Sequence, residues 1–208
     1  MTETRRRRAP AMSPQERRAA IVTATLPLLA EHGTAVTTGQ IAAASGVAEG
    51  TVFRAFADKH ELMWACLQAA FDPAAPVAAL RRIPRDLPLA QRLLRAGAAV
   101  GEHWDRAMQI GHAVRSSCHN PPEAAGHRTL ADPGEKLRAL SEALAELLAP
   151  DAEDLRLSPE RTAQIYLLAV TGDRMLRSRM AALGAPSPGD TDELIEIFLH
   201  GALRGEHE

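Results

Sequence analysis

Apolar residues recur at spacings of three and four along almost all of this 208-residue chain, and few stretches alternate with a period of two. That is the rhythm of amphipathic helices, so an all-α fold is expected and no strand is predicted. Helix signals punctuate the pattern. Ser13-Pro14-Gln15-Glu16 combines an N-cap, a proline at the first helical position and a glutamate three residues after the cap. It opens a helix to about His32, stopped by Gly33, with Ile21, Leu28 and Leu29 as its buried stripe. Pro27 lies inside it; an interior proline costs about 3 kcal/mol, so a kink or loosened turn is expected.

Further on, Asp58 caps a helix through Leu62, Trp64, Cys66, Leu67 and Phe71, broken by Pro73 and Pro76. Pro84 and Pro88 bound a short segment. Helices are then expected from Leu89 to about His103 and from Asp105 or Arg106 to about Ser117. His119 to Gly134, rich in proline and glycine, reads as a loop. Glu135 to Ala149 is an amphipathic helix ended by Pro150. Ser158-Pro159 opens a helix to about Leu183, and Asp190 or Thr191 opens the last. The final helix carries Leu194, Ile195, Ile197, Phe198, Leu199, Ala202 and Leu203 around half its circumference. A face that wide serves both its own domain and a partner.

The most informative stretch is Thr37 to Leu62. Thr38 can cap a helix from Gly39 to Ser45 that turns Ile41 and Ala42 inward. Gly46 ends it, because glycine takes the left-handed conformation of a sharp helix stop. Val47 anchors the turn, and a second short helix, about Ala48 to Phe53, presents Glu49, Gly50, Thr51 and Arg54 outward. This is helix-turn-helix spacing, in which the second helix enters the DNA major groove. Gly50 would let the backbone approach the duplex. Thr51 can donate to phosphate or meet a thymine methyl, Arg54 can read guanine or grip phosphate, and Glu49 can accept from cytosine or stay solvated.

Thr37, Ile41, Ala42, Gly46, Val47, Gly50, Thr51, Val52, Phe53, Phe56, Lys59 and Leu62 stand in one register. With them, Ile21 to Leu62 resembles the N-terminal domain of the TetR family of bacterial transcriptional regulators. The resemblance implies a three-helix DNA-binding head and a fourth helix leading to a helical body that binds a small molecule. It also implies dimerisation through the last two helices, here about 158–184 and 190–204. Lys59 resembles the family lysine that touches a backbone phosphate; an ordinary surface lysine is the bland alternative. Two positions depart from the pattern: Phe53 replaces a usual tyrosine, and Ala55 stands where histidine or tyrosine is common. Affinity is therefore expected to lean on Thr38, Arg54, Lys59 and the arginines near residue 5.

Charge supports the same placement. Residues 1–54 hold seven arginines against four glutamates, a net of +3, whereas residues 73–208 hold 16 Lys+Arg against 19 Asp+Glu, a net of −3. Positive potential at the head suits phosphate neutralisation. The expected organisation is a disordered basic arm over 1–12, a DNA-binding domain over 13–57 and a regulatory and dimerisation domain over 58–204. In the body Trp104, Met108 and His112 share a face at i, i+4 and i+8, and Met175 is a candidate facing wall of the ligand pocket; plain core is the competing reading. Asp173 and Arg174 are unexpected inside an apolar helix, as a ligand contact, an interhelical bond or a solvated face.

No H-E-x-x-H, zinc-spaced Cys/His set or glycine-rich phosphate loop is present, and Cys118-His119 is merely adjacent, so no enzyme, metal or cofactor is expected. Two cysteines and no long apolar run point to a cytoplasmic protein without membrane contact. The expected function is a homodimeric, ligand-responsive repressor of a near-palindromic double-stranded operator. The alternative is a helical small-molecule binding or interaction protein whose head has lost DNA recognition.

Overall fold

A computed structural model describes residues 12–117, 133–186 and 190–203. The basic arm short of Met12, most of the 119–134 loop and the Cys118-His119 pair lie outside them. The described residues form α1 (Pro14–His32), a 3-10 turn (Gly33–Ala35), α2 (Thr38–Ser45), α3 (Glu49–Ala55), α4 (Lys59–Ala70) and α5 (Ala74–Arg81). Then come α6 (Leu89–Ser117), α7 (Pro133–Leu148), a 3-10 turn (Ala149–Asp151), α8 (Pro159–Ala182) and α9 (Thr191–Ala202). The fold is all-α. The single bridge among the described residues joins Leu155 to Leu203.

Several boundaries differ from the sequence expectation for identifiable reasons. The segment 89–117 is one helix, not two, because nothing between Leu89 and Ser117 breaks it and Val100, Ala107, Ile110 and Val114 continue one buried face. Pro76 does not end a helix. It sits third in α5, where backbone N–H groups have no intrahelical acceptor and proline removes nothing. Pro133 and Gly134 begin α7 instead of closing a loop. Pro27 is carried inside α1 without interruption, and both it and Thr23, whose carbonyl loses its i+4 donor, lie on the exposed side.

Contacts divide the described residues into two compact units, 12–69 with 112–117 and 70–111 with 133–186 and 190–203. The first buries Ile21, Leu29, Val36, Ile41, Val52 and Phe56. Cys66 is buried there too, and burial pushes its thiol up to about 12.

In the second unit α7 packs on α8 and α5, and α8 on α9. Its core includes Leu93, Leu144, Leu148, Tyr166, Leu167 and Ile195. Tyr166 donates to the Leu93 carbonyl at 2.5 Å and meets Phe198 edge to face. A side chain at Gly97 would stand 2.7 Å from the Tyr166 hydroxyl, so glycine makes that approach possible. Arg92 is buried and satisfied: it donates to Leu87 and Leu147 carbonyls and pairs with Asp151. That is the condition under which a buried charge is tolerated.

Candidate nucleic-acid interface

The turn between α2 and α3 is built from local chemistry. Thr37, not Thr38, caps α2: its hydroxyl accepts from the Gln40 N–H at 3.2 Å, and the Gln40 side chain accepts from the Thr37 N–H at 2.8 Å. This reciprocal pair places the helix start one residue earlier than expected, because Gln40 is three positions after Thr37. Thr38 becomes the first helical residue and is half-buried. At the other end Gly46 adopts φ +67°, and beyond its own chain neighbours no described residue comes within 4 Å of where a side chain would begin, so the backbone angle and not space demands glycine. Its N–H and that of Val47 return to carbonyls of the last turn, at Ala43 and Ala42.

Helix α3 is short. Val52 is its buried side chain, and its N-cap, Ala48, provides no side-chain bond. Glu49, Gly50, Phe53 and Arg54 are exposed and Thr51 is half-buried. Of these, Thr51 and Arg54 share one surface. Phe53 is 58% exposed, an apolar ring held in solvent where no core contact requires it. Glu49 occupies the first turn of α3, where its charge favours the helix N-terminus. Lys59 stands apart from these groups: its Nζ donates to the Val36 carbonyl at 2.8 Å, tying the start of α4 to the chain before α2.

An open groove of about 640 Å³ runs along this surface, lined by Pro14, Arg17, Arg18, Thr51, Arg54 and Ala55 among others. Arg17 and Arg18 were not singled out from sequence as site residues. Their signal in the sequence is that of adjacent cations about one turn into α1. The groove gathers three guanidinium groups near a recognition-type helix, an arrangement suited to phosphate oxygens.

The candidate ligand residues behave differently. Trp104 and Met108 are half-buried one turn apart on α6. Trp104 meets Phe71 edge to face at 6.4 Å, and its Nε1 is buried with no hydrogen-bond partner among the described residues. His112 is exposed and falls in the first unit, and Met175 is exposed on α8. Beside Trp104, His103 is held below its ordinary value by burial, reinforced by Arg106 and opposed by Asp72. Asp173 and Arg174 are both engaged. Asp173 pairs with Arg177 at 2.7 Å, and Arg174 lies over Gly101 and pairs with Asp105 at 2.7 Å, joining α8 to α6.

Residues 21–66 match the family described as bacterial regulatory proteins, tetR family. No curated protein matches the chain by sequence. Among solved structures, the fold is similar to that of a transcriptional regulator from Rhodococcus sp. Rha1. That likeness has a TM-score of 0.56 at 21% identity over 89% of this chain and 97% of that one. It is also similar to a TetR transcriptional regulator from Streptomyces coelicolor, with a TM-score of 0.56, 21% identity and coverage of 89% and 98%. At such identities the likeness concerns the fold.

Proposed function

We propose that this chain, whose residues 21–66 match the tetR family of bacterial regulatory proteins, is a member of that family and a ligand-responsive repressor that binds a near-palindromic operator as a homodimer in the cytoplasm. The observation that carries the DNA reading is α3: seven residues held by a left-handed Gly46 stop, with Glu49, Gly50, Phe53 and Arg54 exposed along it. Thr38, Thr51 and Lys59 complete the proposed contact set. Arg17 and Arg54, which also line the groove, add phosphate affinity beneath the base contacts.

Dimerisation is supported by what α8 and α9 leave in solvent. Leu168, Met175, Leu176 and Ile197 are all exposed large apolar side chains. Several on neighbouring turns mark a contact surface. Through that surface two recognition helices would be set about one DNA turn apart. An effector is supported by Trp104, whose buried Nε1, without a partner among the described residues, can donate to an acceptor on an otherwise apolar molecule, with Met108 beside it. Met175, exposed on α8, contributes at most at the margin of such a site, and His112, exposed in the first unit, is not assigned to it. The effector releases DNA to the extent that it prefers one arrangement of the heads.

The test is an electrophoretic shift with DNA flanking the protein's own gene. Salt-sensitive, sequence-preferring binding that Thr51→Ala with Arg54→Ala abolishes supports the reading. Absence of preference for any such sequence sinks it.

A further inference from the structure

We infer that Arg18 is a positioning residue for the recognition helix: from α1 it fixes the exit of α3 and does not itself contact DNA. The inference rests on the reading of α3 as the DNA-reading helix.

Seven residues leave α3 with few internal hydrogen bonds, and the last carbonyls of any helix lack intrahelical donors. One of these, the Ala55 carbonyl, accepts from Arg18 Nη1. The other terminal nitrogen of the same guanidinium donates to Glu61 Oε1 at 2.8 Å. Glu61 uses its second oxygen to accept from the Ala57 N–H at 2.7 Å. Between these two backbone anchors lies Phe56, whose buried ring faces the guanidinium, 4.2 Å from centroid to Cζ. One ion pair thus grips both sides of the connection from α3 to α4 and stacks on the residue in the middle. Glu61 is oriented in turn by the Asp58 cap, which accepts from its N–H at 2.7 Å.

The Arg18 guanidinium has its two terminal nitrogens on internal acceptors and one face on a ring, although it shares the groove with Arg17 and Arg54. A fork with two separate acceptors and a stacked plane is arginine geometry that an ammonium group cannot reproduce. The consequence is a division of labour within the groove. Arg54 acts on the nucleic acid, whereas Arg18 acts through the placement of Thr51 and Arg54.

The experiment titrates the full chain with its flanking operator DNA and with unrelated duplex DNA across a salt series. Arg18→Ala, Arg18→Lys, Glu61→Ala, Arg18→Ala with Glu61→Ala, and Arg54→Ala are compared. A phosphate contact, when removed, lowers the slope of log affinity against log salt by about one. Arg54→Ala is expected to do so. Arg18→Ala and Glu61→Ala are each expected to weaken operator binding about tenfold or more with the slope for unrelated DNA unchanged. The double variant should be no weaker than either single one, and Arg18→Lys should not rescue. A slope reduced by about one in Arg18→Ala, together with normal binding by Glu61→Ala, overturns the proposal and makes Arg18 a phosphate ligand.

Hydrogen exchange on the same proteins separates other failures. Amides of residues 51–57 should lose protection about tenfold in Arg18→Ala and Glu61→Ala while those of α2 keep theirs. Unchanged protection at 51–57 overturns the clamp. Loss across α1, α2 and α3 together shows a global folding role and overturns it as well. If the wild type prefers no DNA sequence, the DNA-binding reading fails, and exchange alone still decides whether the clamp exists.

Discussion

The helices of the turn, α2 and α3, and the long helices of the second unit, α7 and α8, hold themselves together by different means. α2 and α3 have eight and seven residues. Each buries only one or two side chains, and their ends are tied by particular groups: the Thr37–Gln40 pair, the left-handed Gly46, and Arg18 at the Ala55 carbonyl. α7 and α8 have 16 and 24 residues. They bury Leu144, Leu148, Ala163, Tyr166, Leu167 and Val170, so faces and not ends carry their stability. The difference follows from the surface each must leave open. A helix that exposes most of its circumference to a partner has little left to bury, and end chemistry takes over.

The largest expected effect falls on the first unit. Phe56→Ala removes a buried ring and the platform under Arg18, and should cost about 3–5 kcal/mol, read as lost hydrogen-exchange protection in α1 to α3. Protection lost equally in α7 and α8 would break the contrast between the two regions. Gly97→Ala probes the opposite side. A methyl group 2.7 Å from the Tyr166 hydroxyl forces a shift in a packed interface and should destabilise the second unit by about 1–3 kcal/mol, despite the better helix propensity of alanine. A stabilised protein in denaturant melts would show that the interface yields.

Thr37→Ala removes an end tie from α2 and should cost about 1 kcal/mol in the same melts, with operator binding weakened in proportion. Leu168→Glu, on the exposed side of α8, should leave the monomer within about 0.5 kcal/mol of wild type while sedimentation shows the loss of the proposed dimer. The smallest effect concerns pH. Burial holds His103 below its ordinary 6.5, so the unfolded chain binds this proton more readily than the folded one. Stability should be full above pH 6.5, fall slightly as pH drops towards the lowered folded value, and level off beneath it. His103→Gln should flatten that slope.

Much of the fold was legible because its determinants are local. Ser13 to Glu16, Gly46 and Ser158-Pro159 mark helix ends by side-chain reach and backbone angle, which act within four residues. Less legible were features in which distant segments override a local signal. α6 continues past Trp104 because a buried face selects the whole helix. In the candidate site, Glu49, Gly50 and Arg54 stand out from spacing alone and Phe53 from the family resemblance, but no spacing relates Arg18 to Ala55 or Lys59 to Val36, each pair being more than 20 residues apart.

By itself the sequence determined the helical class, the helix-turn-helix register and most helix starts, since periodicity and capping are properties of short windows. Tertiary structure alone decided which cations face the groove and which are spent internally, and why Asp173 and Arg174 can lie within an apolar helix. A charge is placed by the acceptors it meets in space, and those acceptors come from elements that the linear pattern does not pair.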